Sequence, residues 1–465
     1  MTQVLSKRTV AASTAYPPRI LQFGTGNFLR AFIGPMVQAL QAQTDFAGSL
    51  VMVKATNSPS RSYETLTAQD GYYHLWTRGV YEGQELDELQ LITCASHCVH
   101  PYAAFEQFLA LASVPELEFV VSNTTEAGIQ FEPEDWPAGA PAHHFPGKLT
   151  QLLYARFQYF QGDPARGWVM LPCELIEANG QALRECVLQY ATHWQLGKAF
   201  QEWINSANIF CDTLVDRIVP GFPQEEAAEA YERLGFVDQQ LVVAEPYLLW
   251  AIEAPMEVRQ RLPLDQIGMN VQFTERLAEY RTLKVRLLNG AHTAMVPVGL
   301  RTGFVAVGEF AEAATGRRFL EELLLGEIQP SLPHKQKEVQ AYVASVLDRF
   351  HNPFIQHRLA DIALNSIAKF RTRLWPSLRY HLERDGQAPP RLLQAFVALL
   401  LLYRGDVIAL RDEAAHLEYF ASVWTTFAGQ ERVDQLLGYT DGWGVNLRQY
   451  QRFCEQVGRA LERIQ

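Results

Sequence analysis

Pro18-Arg19-Ile20-Leu21-Gln22-Phe23-Gly24-Thr25-Gly26-Asn27-Phe28-Leu29-Arg30 is the stretch that decides the fold class. Pro18–Phe23 is a short apolar strand, a two-glycine turn follows at once, and apolar helical spacing then runs from Ala31 to about Gln41. Strand, glycine turn and helix form the context in which a dinucleotide motif has physical meaning. Gly24 permits the tight turn, and Gly26 lets backbone amides approach a pyrophosphate at the helix N-terminus. Leu29 stands where the third glycine of the usual fingerprint would be. Arg30 could contact a phosphate or an acid. Phe23, Gly24, Gly26, Asn27, Phe28 and Arg30 are therefore the candidate cofactor contacts, against the alternative of a plain strand–helix turn.

Further strands and helices alternate after this unit. Ser49–Ala55 reads as a second strand, yet no Asp or Glu ends it to hold a ribose 2′-hydroxyl. Lys54 or Arg61 could instead face a 2′-phosphate, so the segment leaves NAD and NADP both open. Leu117–Ser122 is a strand of the buried parallel type, and Asn123 and Thr124 at its end are candidates for cofactor contact. Trp168–Pro172 is another, followed by Cys173-Glu174-Leu175-Ile176-Glu177-Ala178-Asn179 and a helix from about Gln181. Asp216 and Arg217 stand side by side further on, and Leu241–Glu245 and Trp250–Glu253 are expected to extend the same sheet. Cys94, His97, Cys98 and His100 lie within seven residues. Their spacing does not suit a zinc site, and a strand would turn alternate residues to opposite faces, so no metal is expected.

From about Val271 the pattern is helical throughout, with helices expected at 276–300, 306–326, 336–350, 355–373, 391–403, 411–427, 431–438 and 446–463. The first carries Arg281–Met295, RTLKVRLLNGAHTAM. At roughly 100° per residue, Lys284 and Asn289 subtend about 140° with His292 between them, so all three can reach one pocket. An amine, an amide and an imidazole on a partly apolar helix suit proton transfer to a carbonyl or alkoxide oxygen. The alternative is a surface lysine and a hydrogen-bonded core histidine. Lys369, Arg371 and Arg373 form a basic cluster suited to a substrate carboxylate, or to a solvated face. The expected architecture is α/β, a Rossmann-type doubly wound sheet over residues 1–275 followed by an all-helical domain over 276–465.

The 465 residues allow two cores, and their composition, 48% hydrophobic and 20% charged, is that of a globular chain. No apolar run approaches the ~20 residues of a membrane span. A net charge of −11 without a basic block makes nucleic acid an unsuitable partner. Six cysteines make no disulfide framework and fit a reducing cytoplasm. The opening residues read as a short arm without a signal-peptide core.

Lys284-x4-Asn289-x2-His292, Gly24-x-Gly26-x-Phe28-x-Arg30, Asp70-Gly71-Tyr72, Val215-Asp216-Arg217-Ile218 and Glu245-Pro246-Tyr247-x-x-Trp250, in this order, resemble the polyol-specific long-chain dehydrogenase/reductase family, the mannitol dehydrogenase group. The resemblance spans essentially the whole chain. It implies an NAD-dependent oxidoreductase acting on a secondary alcohol, a monomer or small homo-oligomer working on a small sugar or sugar acid. By resemblance, Lys284 is the general acid/base without a metal, with Asn289 and His292 beside it. Asp216 matches a proton-relay aspartate, and Lys369 a substrate-binding lysine. Two positions depart: Leu175 stands where polyol members carry an oxyanion-hole asparagine, and Phe32 where they carry a histidine. Either Asn179 takes the asparagine's role, or Asn289 and His292 suffice. The resemblance is nearest to members of the family acting on a six-carbon keto sugar acid, and the cluster of Lys369, Arg371 and Arg373 would bind its carboxylate. The alternatives are a neutral-polyol or fructuronate enzyme, or an epimerase or sugar-acid sensor on the same fold.

Overall fold

The computed structural model describes residues 3–10, 14–59, 61–124, 128–354 and 357–463. The chain divides into two compact units, Met1–Arg78 with Leu86–Leu277, and Gly79–Glu85 with Ala278–Gln465.

The first unit is built on a six-stranded sheet. Its strands are β1 (Pro18–Phe23), β2 (Ser49–Val53), β5 (Ala95–Val99), β6 (Phe119–Ser122), β7 (Val169–Pro172) and β8 (Ile209–Phe210). The strands β3 (Tyr73–Tyr81) and β4 (Gln84–Ile92) lie outside this sheet, between β2 and β5 in the chain. The order across the sheet is β5-β2-β1-β6-β7-β8, and neighbouring strands pair in parallel. That order reverses direction between β1 and β6, the switch point at which doubly wound sheets bind ligands. Successive side chains point to opposite faces, so two cores form. Ile20, Leu50, Met52, Phe119 and Val121 pack on one face. Leu21, Phe23, Val51, Val53 and Val120 pack on the other. Strands buried on both faces need near-continuous apolar runs, which is why these segments do not alternate with polar residues. The covering helices include α1 (Asn27–Gln43), α2 (Phe145–Tyr159) and α3 (Asn179–His193).

The two late strands do not extend this sheet. β10 (Val242–Ala244) pairs in parallel with β3, in a three-stranded sheet ordered β10-β3-β4. β11 (Leu249–Glu253) runs antiparallel to β9 (Asp212–Asp216) and parallel to β12 (Val271–Phe273). The large sheet ends at the two-residue strand β8, and the chain then turns off into a separate layer.

The second unit is helical around one core that runs from Leu283 to Leu461. The opening helix is not a uniform α-helix. α4 (Leu277–Leu283) passes into a π-helical turn, Lys284–Leu288, and then into α5 (Asn289–Arg301). A second π-helical turn spans Glu322–Ile328. The helix expected at 355–373 is broken: a short turn Leu359–Ile362 and α6 (Ser366–Arg373) flank Asn365 at φ 54°. Residues 355 and 356 of that expectation lie outside the described residues. α7 (Trp375–Asp385) was not anticipated, although Pro376 in its first turn and Gly386 at φ 70° after its end are ordinary start and stop signals. α8 (Pro390–Leu402) is almost wholly buried, which its unbroken Leu-rich sequence dictates. Among the described residues no helix is long and apolar enough to cross a membrane. All six cysteines are free.

Candidate active site

In the first unit the glycine turn follows β1. Gly24 has φ 118°, a conformation that favours glycine, and a Cβ there would sit 3.2 Å from Leu29 Cδ1 and 3.4 Å from the Asn123 carbonyl. Gly26 is the N-cap of α1 with no side-chain cap, and a Cβ on it would meet nothing within 4 Å. Uncapped first-turn amides beside open space fit a dinucleotide pyrophosphate.

Arg30 is not one of the groups left open to that space. Its guanidinium is buried and donates to the carbonyls of Thr25 and Gln240 and, at 2.7 Å, to Asn27 Oδ1. Burial lowers its pKa. Arg30 and Asn27 thus brace the turn from behind, with Tyr73 donating to the Arg30 carbonyl. Phe28 stacks on Phe32 at 4.9 Å, and Phe23 is fully buried. Lys54 is likewise engaged: its ammonium caps the carbonyls of Thr56 and Ser58 at the end of β2, and burial lowers its pKa. Arg61 opens the helix Arg61–Ala68 and is exposed.

The ends of β6 and β7 are joined by Glu174. Its buried carboxylate accepts from the Ser122 hydroxyl at 3.0 Å, the Thr124 amide at 2.9 Å and the Thr124 hydroxyl at 3.0 Å. Burial raises its pKa, against the pull of these donors. Asn123 donates to the Cys173 carbonyl at 2.8 Å. Residues 125–127, which follow this strand end, lie outside the described residues.

Asn179 departs from its expected role. It is fully buried, and Nδ2 donates to the carbonyls of Pro172 (2.9 Å), Glu174 (3.1 Å) and Thr213 (3.1 Å). Oδ1 accepts from the Thr213 amide at 2.8 Å. Every polar atom of the side chain is spent on tying β7, α3 and β9 together, so it has no donor for a substrate oxygen. Leu175 is 56% exposed on the turn between. Asp216 is buried at the end of β9. Arg217 beside it donates to the Glu245 and Ala31 carbonyls, and burial brings its pKa down to about 10.

In the second unit Lys284 and Asn289 stand at the two ends of the π-helical turn, where the Asn289 amide donates to the Lys284 carbonyl. This hydrogen bond spans five residues instead of four, so the turn holds one more residue than an α-helical turn. Lys284 and Asn289 are therefore stacked more nearly over each other than the 140° of a regular helix allows. His292 follows one turn on in α5 and is buried. Its ring lies 4.7 Å from Phe350 and 5.0 Å, edge-on, from His357. His357, whose pKa burial lowers, escaped the sequence reading because nothing in its local spacing ties it to His292.

The three cations of α6 separate. Arg373 donates to Thr293 Oγ1 at 3.2 Å, the residue after His292. Lys369, four residues back, shares that face, as helical spacing requires. Its ammonium donates to the Ile362 carbonyl at 2.8 Å, and burial together with the Arg373 charge lowers its pKa. Arg371 is exposed on another face and lies against Gly444. Two of the three cations are thus gathered beside the lysine–asparagine–histidine helix.

A Rossmann-type unit with an open glycine turn, followed by a helical unit carrying an amine, an amide and an imidazole on a widened turn and the α-helical turn after it, defines an oxidoreductase acting on a secondary alcohol. The Rossmann-domain model of the mannitol dehydrogenases matches residues 18–266, and their C-terminal-domain model matches residues 276–465. The chain belongs to the mannitol dehydrogenase family. It is 42% identical to an altronate oxidoreductase of Bacillus subtilis over 464 residues, 99% of this chain and 96% of that protein. It is 41% identical to one of Escherichia coli O1:K1, covering 97% and 95%. Among solved structures, the mannitol 2-dehydrogenase of Pseudomonas fluorescens, in complex with NAD and D-mannitol, aligns with TM-score 0.68 at 20% identity, over 98% of this chain and 96% of that one. A substrate-free D-sorbitol dehydrogenase aligns with TM-score 0.78 at 21% identity, over 95% and 92%. These two show the shared fold.

Proposed function

We propose that the protein catalyses the reversible NAD-dependent reduction of the ketouronate D-tagaturonate to D-altronate. The observation that carries the reading is the grouping on the second unit: Lys284, Asn289 and His292 along two successive helical turns, with Arg373 tethered to Thr293 and Lys369 on the same face. An alkoxide-handling set beside a pair of cations suits a substrate with a ketone and a carboxylate. Relatives at about 41% identity that bear the name altronate oxidoreductase support the same choice.

Reduced NAD, when bound, supplies the hydride to the carbonyl carbon. Lys284 Nζ gives its proton to the carbonyl oxygen as that oxygen gains negative charge, and takes it back in alcohol oxidation. Asn289 and His292 donate hydrogen bonds to the same oxygen, which stabilises it most when it is most charged. Lys369 and Arg373 hold the carboxylate, Arg373 through its planar fork. Asp216 is retained from the family resemblance as the proton-relay residue. Gly24, Gly26 and the first-turn amides of α1 hold the pyrophosphate, with Asn123 and Thr124 as further contacts to the cofactor. The catalytic step is assigned to the lysine without a metal.

The test is NADH absorbance on adding D-tagaturonate, with NADPH, D-fructuronate, fructose and mannitol plus NAD run in parallel. Loss of NADH with tagaturonate alone is the expected result. Turnover only of fructuronate or of the neutral polyol pair would replace the substrate, turnover only with NADPH would replace the cofactor, and no turnover would favour an epimerase or sensor.

A further inference from the structure

Arg286 sits in the middle of the π-helical turn, and among the described residues its guanidinium has no acidic partner. It donates to Ser331 Oγ at 3.1 Å and to Ser377 Oγ. Ser377, in the first turn of α7, is fully buried and lies 2.9 Å from Ser331. Ser331 donates its one hydroxyl hydrogen to the Ile328 carbonyl at 2.7 Å. The hydrogen on Ser377 must therefore point to Ser331, and the chain runs Arg286 to Ser377 to Ser331 to Ile328. Ile328 ends the second π-helical turn, so one hydrogen-bonded chain joins both irregular turns of the unit. Burial alone moves the Arg286 pKa, down to about 10, and among the described residues Nε has no hydrogen-bond partner.

Such an arrangement is costly. A charge held partly out of water without a counter-charge costs the fold more than an apolar side chain in the same place. A π-helical turn is itself uncommon and needs support from its surroundings. Arg286 lies two residues from Lys284 and three from Asn289, inside the turn whose register sets where both side chains stand. We propose that Arg286 is a positioning residue: its tether to Ser377 and Ser331 holds the π-helical turn and so fixes Lys284 and Asn289 relative to His292. This rests on the catalytic assignment of Lys284 made above.

The test uses the full chain with Ser377→Ala, Arg286→Lys and Lys284→Met, assayed with NADH and tagaturonate. Misplacement of reacting groups by about 1 Å costs up to ~100-fold. Ser377→Ala and Arg286→Lys are expected to lower kcat by about 10- to 100-fold while KM for NADH stays within about twofold. The primary deuterium isotope effect with deuterated NADH should rise, because the chemical step becomes slower relative to product release. A structural role alone would lower the folded fraction and leave the isotope effect unchanged. Wild-type kcat and isotope effect in folded Ser377→Ala, or loss of activity that only tracks loss of folded protein, would overturn the tether. If Arg286→Lys does not fold, Ser377→Ala decides. An inactive Lys284→Met beside unaffected tether variants overturns the tether alone. Wild-type turnover in Lys284→Met overturns the lysine's role, and the tether's with it.

Discussion

Asn179→Ala separates a structural from a catalytic asparagine. The wild-type side chain satisfies three carbonyls and one amide in a fully buried place. Alanine leaves the Thr213 amide and at least one of those carbonyls without a partner. Each unsatisfied buried group costs about 1–3 kcal/mol, so the loss is about 2–5 kcal/mol. For a domain of this size that corresponds to a fall in Tm of roughly 5–15 °C. The assay is thermal unfolding followed by circular dichroism, with steady-state kinetics on the folded fraction. kcat per folded molecule should stay within about threefold of wild type, since the side chain has no donor left for a substrate oxygen. An Asn179→Ala protein that melts like wild type but loses about 100-fold or more in kcat would refute this reasoning and make Asn179 an oxyanion donor.

Three further outcomes follow from single residues. Lys148 is fully buried in α2, donates to the His143 carbonyl at 2.6 Å, and has its pKa lowered by burial from 10.5 to about 8. The folded state binds this proton less tightly than the unfolded state, so stability from this group rises as pH climbs from about 8 to 10.5 and is absent below. Urea unfolding across that range should show wild type gaining up to about 3 kcal/mol over Lys148→Met, and parallel curves would contradict it. Gly24→Ala forces a side chain into φ 118° beside Leu29, which costs about 1–3 kcal/mol and should raise the Kd for NADH in a fluorescence titration. Arg373→Met should raise KM for the sugar acid about tenfold or more with KM for NADH unchanged, whereas Arg371→Met, on the other face, should leave both constants alone.

The parallel sheet was legible because its strands are short apolar runs ending in polar turns, and the glycine turn after Phe23 fixed where the sheet begins. The fate of β10 and β11 was not legible: three to five apolar residues can join any open edge, and only the placement of β8 decides which edge is open. Spacing brought Lys284, Asn289 and His292 together, yet it assumed a regular helix, and a π-helical turn has no sequence signature. The same spacing separates Lys369 and Arg373 from Arg371, a distinction available before any coordinates. Arg30 and Asn179 misled for a common reason. Both are polar residues in the first turn of a helix that follows a parallel strand, where ligand contacts concentrate, and sequence does not reveal whether nearby carbonyls have already claimed their donors. His357 and the serines around Arg286 depend on contacts between distant segments and leave no local trace.

The proposed chemistry stands on Lys284 moving the proton in a hydride-transfer reaction on a sugar acid. The measurement that tests it most directly is the rate of NADH loss with saturating tagaturonate in wild type and in folded Lys284→Met. The account predicts turnover in wild type and a fall of about 100-fold or more in the variant, the usual loss on removing a general acid. A Lys284→Met enzyme that consumes NADH at the wild-type rate would contradict it.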